Sequence, residues 1–169
     1  MKPLVSITGG FGYLGGRLAV HLAASGYRVR LLARNARARR PSWAQNMECS
    51  ELDLMNETDL AGQLKGSSAV VHLAALNARA CAADPEAAER VNVKGTRVVA
   101  SAACLSGVEK LIYMSTAHVY GAPLSGKLIE DSPTTNTHPY AAPHRAAEEI
   151  VCQSLRPVGT VLRLSNGVG

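Results

Sequence analysis

Aromatic side chains are scarce: one Phe, one Trp and five Tyr among 169 residues, or 4 %. That argues against binding single-stranded nucleic acid, which needs aromatic platforms interleaved with basic residues. Cysteine is equally sparse. Cys49, Cys81, Cys104 and Cys152 form no C-x-x-C pair and lie near no His cluster of metal-ligand spacing, so no metal site is expected. Buried free thiols are the expected reading, with a redox or zinc role as the alternative. Long apolar runs are missing too. The start "MKPLVSITGG" carries one Lys and a short apolar stretch broken by Gly, far short of a signal segment or a membrane span. A cytoplasmic protein with no membrane partner is expected. There is no internal repeat and no low-complexity segment. What is present is a 47 % apolar composition, enough for one domain with a sizeable core.

The net charge is +5, from 18 basic and 13 acidic residues. Much of the excess lies in "YRVRLLARNARARR", which holds Arg28, Arg30, Arg34, Arg37, Arg39 and Arg40. Such a run serves nucleic acid, a phosphorylated small molecule or plain solvation. No nucleic-acid partner is expected, given the missing aromatics.

Short aliphatic and β-branched runs alternate with Ala-rich stretches along the chain, the pattern of βαβ units around a parallel sheet. Strands are predicted near 3–8, 28–33, 47–51, 68–74, 109–115 and 158–164, and helices near 13–25, 56–64, 85–106 and 140–154. Asp84 and Pro85 suit the cap and first turn of the third helix. The fold class is therefore α/β, a Rossmann-like doubly wound parallel sheet of about six strands with helices on both faces. Residues 117–138, rich in Gly, Pro, Ser and Thr, form a loop long enough to be functional.

"SITGGFGYLGG" is the strongest local signal. Gly9, Gly12 and Gly15 follow the first strand and open the first helix, and Gly10, Gly12 and Gly15 also fit G-x-G-x-x-G. Dinucleotide binding needs this arrangement: a tight turn, close backbone approach to a pyrophosphate, and phosphates at the positive end of a helix. The second strand ends in Ala33 and Arg34 where an NAD site usually carries an acid for the ribose,. Without that carboxylate nothing repels a 2′-phosphate, and Arg34 can pair with one. NADP(H) is therefore favoured over NAD(H). The alternative is a surface Arg34 with NAD still bound.

Taken together these motifs resemble the extended short-chain dehydrogenase/reductases, the NAD(P)-dependent epimerase/dehydratase family that acts largely on nucleotide sugars. "TGGFGYLG" is similar to its glycine motif, "VVHLAA" to the fourth-strand motif, "NVKGT" to N-x-x-G-T, "YMSTAHVYG" to S-[ST]-x-x-V-Y-G, "EDSP" to E-[DE]-x-P and "LRLSN" to R-x-x-N. The resemblance implies cofactor contacts at Gly9, Phe11, Gly12, Tyr13, Leu14, Gly15, Arg34, Asp53, Leu54, Leu73, Ala74, Ala75, Asn92, Tyr140 and His144. It assigns catalysis to Tyr140 as proton carrier, Thr116 as hydrogen-bond partner of the substrate oxygen, and His144. Substrate contacts fall to Asn77, Thr116, His118 and Asn166. The implied activity is epimerase, dehydratase or reductase chemistry by hydride transfer on a small hydroxylated molecule such as a nucleotide sugar. A homodimer paired through the segments 85–106 and 140–154 is implied as well.

Two departures stand against that pattern. In "YAAPHRAAEE" His144 holds the position of the family's lysine, four residues after Tyr140 and so on the same helix face,. An imidazole of ordinary pKa near 6.5 is mostly neutral at pH 7, so its help to a tyrosinate should be weak and should fade as pH rises through about 6–7. Pro143 requires the helix to begin near Ala141 or Ala142. Residues 1–169 read as one dinucleotide-binding domain without the family's substrate lobe, either a fragment of a longer enzyme or a domain working alone. A catalytically impaired binding or scaffold protein is the competing reading.

Overall fold

The computed structural model describes residues 2–36, 40–154 and 156–165. Six strands are observed, β1 Leu4–Thr8, β2 Arg28–Ala33, β3 Glu48–Glu51, β4 Ala69–His72, β5 Lys110–Thr116 and β6 Val158–Leu164. All pair in parallel in the order β3-β2-β1-β4-β5-β6. The helices are α1 Tyr13–Ala24, α2 Glu57–Leu64, α3 Ala78–Ala83, α4 Pro85–Ala88, α5 Gly95–Leu105 and α6 Ala141–Cys152. This is the doubly wound arrangement, in which the chain leaves β1 toward one sheet edge and β4 toward the other, opening a crevice at their C-terminal ends.

Strand residues alternate between two cores. Val5, Ile7, Val29, Leu31 and Val71 pack with Ala19 of α1 on one face. Leu32, Val70, Leu111 and Tyr113 pack on the other face with residues of α2, α5 and α6, among them Leu60, Leu64, Val99, Ala103, Ala147 and Val151. Strands buried on both faces read as unbroken apolar runs, which is why "LVSIT" and "RVRLLA" were legible. β6 differs. Its residues alternate between partly buried and exposed, and Val158, Leu162 and Leu164 face outward.

The helix expected over 85–106 is broken into three. α4 is capped by Asp84, whose side chain accepts from the Ala87 amide. A π-helical turn, Glu89–Lys94, then precedes α5. α3 was not anticipated: Asn77 caps it by accepting from the Ala80 amide at 2.9 Å. Six Ala-rich residues carry too little periodicity to announce a helix. α6 begins at Ala141, so Pro143 falls in the first turn, where its missing N–H costs no helical bond,.

Candidate active site

The C-terminal ends of β1, β4 and β5 face the start of α1 across a cleft of about 480 Å³. The glycine turn builds one wall. Gly9 has φ +70°, and a Cβ there would lie 2.9 Å from the Ala74 amide nitrogen. A Cβ on Gly15 would collide with the Gly9 carbonyl oxygen. Only glycine fits either place, and the result is close packing of turn, helix and β4. Gly12 caps α1 with no side-chain acceptor, and no acid occupies the first turn. The helix start therefore presents main-chain N–H groups with no side-chain cap and a positive dipole end, suited to an anionic group,.

Opposite, β5 and α6 supply hydroxyl and imidazole side chains. Thr116 ends β5 and its Oγ1 accepts from the His118 amide at 3.2 Å. Tyr140 sits at the N-terminus of α6 and lines the same cleft as Thr116. His144 lies one turn on, its ring 4.7 Å from that of Tyr140 and edge-on at 75°. Gly9, Gly12, Tyr13, Leu14, Gly15, Leu73, Ala75, Asn77, Thr116, His118, Tyr140 and His144 all line this cleft. The structure thus gathers most of the expected site.

The remaining expected residues stand elsewhere. Phe11 lines a separate groove along α1 with Trp43, which it meets edge-on at 6.3 Å. Asn92 is buried behind the cleft wall, where Oδ1 accepts from the Leu76 amide at 2.8 Å and Nδ2 donates to the Leu76 carbonyl. It positions the cleft backbone rather than facing the cleft. Ala74 backs the Gly9 turn. Leu54 packs over Gly95, and Asp53 accepts from the Met55 amide at 2.8 Å. Asn166 falls outside the described residues.

Arg34 is exposed just beyond β2. The acid missing from β2 in sequence reappears in space: Glu51 ends β3 in register with Ala33, and its carboxylate accepts from the Asn35 amide at 2.5 Å. Strand pairing brings this carboxylate to the tip of β2, where linear reading found none.

Electrostatics correct the expectation for His144. Burial pushes this imidazole down to about 4, against a smaller upward pull from Glu148. It is neutral throughout the physiological range, with no transition at pH 6–7. Tyr140 is raised above its ordinary value by burial, with the Thr116 side chain acting in the other direction. A neutral histidine provides no charge to favour a tyrosinate, so Tyr140 keeps its proton at neutral pH.

Several residues that sequence reasoning passed over hold the site in place. Nδ1 of the fully buried His72 meets Oγ1 of Thr8 at 2.6 Å, and Nε2 meets Oγ1 of Thr96 at 3.1 Å. Thr96 donates onward to the Asn92 carbonyl at 2.6 Å, so it accepts from His72 and fixes that ring as Nε2–H. Burial pushes His72 down to about 3. The chain of bonds locks β4 to β1 beneath the glycine turn. The only sequence signal was a polar residue within the apolar run "VVHLAA". On the other side, Ser115 donates to Glu148 at 2.5 Å, Arg163 pairs with Glu148 at 2.7 Å, and Arg163 also donates to the Tyr120 hydroxyl at 2.6 Å and the Glu130 carbonyl at 3.0 Å. These contacts tie the loop after β5 to β6 and α6. Arg145, beside His144, is engaged with the Thr134 carbonyl of the same loop.

Known proteins place this architecture. A rice UDP-glucose 4-epimerase 4 is 31 % identical over 86 % of this chain and 43 % of its own length. The UDP-glucose 4-epimerase of Bacillus subtilis is 31 % identical over 87 % of this chain and 46 % of its own. Among solved structures, DesIV of Streptomyces venezuelae, a dTDP-glucose 4,6-dehydratase with NAD and TYD bound, superimposes with a TM-score of 0.79 at 26 % identity, over 94 % of this chain and 53 % of that one. The chain spans about half the length of these relatives, or less. A sequence model of the NAD dependent epimerase/dehydratase family matches residues 5–169, and with the glycine turn, parallel sheet and cleft described above this chain belongs to that family.

Proposed function

We propose that this chain is the dinucleotide-binding part of an oxidoreductase of epimerase, dehydratase or reductase type, taking NADP(H) and acting by hydride transfer on a sugar-like or other hydroxylated substrate. The observation that carries the reading is the convergence, in one cleft at the switch point, of the uncapped α1 N-terminus with Thr116, Tyr140 and His144. UDP-glucose and dTDP-glucose enzymes among the relatives make a nucleotide sugar the first substrate class to try.

The residues fit the cofactor in three places. The amides at the start of α1 would take the pyrophosphate. Leu73 and Ala75 would form the apolar wall against the nicotinamide, and His144 would face the adjoining ribose. Bound there, the nicotinamide supplies exchange of a hydride with a substrate carbon. Thr116 and Tyr140 would meet the substrate oxygen, and Tyr140, holding its proton at neutral pH, would give it to an oxygen gaining negative charge. Arg34 supports the phosphorylated cofactor, while Glu51 is the carboxylate a 2′-phosphate would approach. A homodimer through α5 and α6, readable by sedimentation, belongs to the same proposal.

The neutral His144 beside a protonated Tyr140 favours a second reading, a nucleotide-binding protein with little turnover. One experiment separates them: titrate NADPH into the unmutated chain and Tyr140→Phe, and assay both for reduction of nucleotide-linked keto sugars. Binding retained with turnover lost in Tyr140→Phe supports the enzyme. Binding with no turnover in either supports the second reading. No binding by either protein rejects both.

A further inference from the structure

The Tyr113 hydroxyl lies 2.6 Å from Nδ1 of His144. Both side chains are buried, Tyr113 at 1 % and His144 at 3 % exposure. Tyr113 stands on β5, inside the core that also holds Ala147 and Val151 of α6, so its ring is fixed by packing. Nε2 of the same imidazole is fully buried and has no partner among the described residues, although His144 lines the cleft. One ring nitrogen is thus committed to the core and the other is left for whatever enters.

A shared proton decides which nitrogen carries hydrogen. A phenol has one O–H, and the only hydrogen-bond partner of the Tyr113 hydroxyl among the described residues is Nδ1 of His144. Burial and the nearby Glu148 carboxylate hold the phenol well above its ordinary pKa, so its proton stays. If Nδ1 instead carried hydrogen, the phenol oxygen would accept from it, but the phenol O–H would then be orphaned and a bare Nε2 lone pair buried as well, two unmet groups against the single unpaired Nε2–H of the other tautomer,. The favourable state has Tyr113 donating to Nδ1. A neutral imidazole with its lone pair on Nδ1 must carry its proton on Nε2.

We propose that Tyr113 is a positioning residue that fixes His144 as the Nε2–H tautomer, so that a neutral imidazole presents a single donor to a hydroxyl oxygen of the bound dinucleotide. The inference rests on the dinucleotide reading for its ligand but not for its tautomer. Tyr113 touches neither cofactor nor substrate; it acts through the ring it orients.

The test is a two-bond proton–nitrogen correlation spectrum of the full chain labelled with nitrogen-15, recorded at pH 7 with and without NADPH, His144 being assigned by the signals lost in His144→Gln. A protonated Nε2 and unprotonated Nδ1 are expected, with Nε2 moving on NADPH addition. In Tyr113→Phe the tautomers should mix, and NADPH should bind about twofold more weakly when about half of the rings carry the proton on Nδ1, because affinity falls with the competent fraction. An Nδ1–H tautomer in the unmutated chain overturns the proposal, as does a Tyr113→Phe protein with unchanged tautomer and affinity. If Tyr113→Phe does not fold, the unmutated spectrum still decides, because NADPH binding that leaves Nε2 unmoved removes the donor role. Absence of binding by both NADPH and NADH alongside an Nε2–H tautomer would reject the dinucleotide reading and leave the control of His144 by Tyr113 standing.

Discussion

The ring of His144 stands edge-on to that of Tyr140, 4.7 Å between centroids and 75° between planes. The helical i, i+4 relationship therefore survives Pro143, and what has changed at this position is charge rather than place. Where the family resemblance implies a lysine and its positive charge beside the tyrosine, this chain has a buried ring held at about 4.

His144→Lys should return that charge to the same face. Tyr140 should then titrate lower, and any turnover at neutral pH should rise, by about tenfold for each unit the tyrosine pKa falls toward neutrality. The lysine would be nearly as enclosed as His144, and a stability loss of about 1–3 kcal/mol is expected for the lost Tyr113 contact and the buried amine. Ultraviolet titration of the phenol reads the first effect directly. A Tyr140 titration identical in both proteins would count against this account.

The direction of proton transfer should also show in pH profiles. Because burial raises Tyr140, oxidation of an alcohol, which needs the tyrosinate, should increase steadily from pH 7 to 9. Carbonyl reduction, which uses the protonated form, should stay flat over that range. Initial rates in both directions would check this, and an oxidation rate that plateaus near pH 7 would contradict it.

Acid should destabilise the fold through its buried histidines. His72 and His144 sit at about 3 and about 4 in the folded chain, chiefly from burial, against about 6.5 when unfolded. Between those values the unfolded chain binds more protons, so stability falls as pH drops below about 6.5 and is unaffected by these groups above it. His144 alone corresponds to about 3 kcal/mol across its window. Urea unfolding at pH 7.5 and pH 5 should differ accordingly, and His144→Gln should lessen the difference.

Cofactor choice should answer to Arg34 and Glu51 in opposite senses. Arg34→Ala should weaken NADPH by about 1–3 kcal/mol while leaving NADH nearly unchanged. Glu51→Gln should strengthen NADPH relative to NADH by removing a like charge. Isothermal titrations of both cofactors into the unmutated chain and the two variants settle it, and equal affinities for both cofactors in the unmutated chain would dispose of the Arg34 contact.

Glu148 is buried at 5 % exposure and joins Ser115 to Arg163. Glu148→Gln should leave the Arg163 guanidinium half-satisfied and lower stability by about 3 kcal/mol. It should also loosen the loop held through Tyr120 and Glu130, which amide hydrogen exchange would detect. Unchanged exchange in residues 117–138 would mean the loop is anchored by other contacts, such as the Asn136 bond to the His118 carbonyl.

Much of the molecule was legible because it depends on local patterns. Six apolar runs with helical stretches between them dictate a parallel sheet, since strands buried on both faces and linked by helices leave few alternatives. Gly9 and Gly15 follow from backbone geometry alone: no side chain fits a left-handed turn pressed against Ala74, or the contact with the Gly9 carbonyl,. Likewise Asp84 before Pro85 marks a helix start wherever it is found.

Protonation states were set by tertiary structure, because they depend on neighbours distant in sequence. His144 looked like a weak cation until β5 placed the Tyr113 hydroxyl against Nδ1 and the core removed its water. The end of β2 looked free of acid until strand pairing brought Glu51 beside Ala33. The sequence determined the scaffold and the location of its cleft, since those follow from hydrophobic periodicity and glycine sterics. Charge within the cleft was decided only in three dimensions, because burial and hydrogen bonding across 31 residues from Tyr113 to His144 have no signature in linear order.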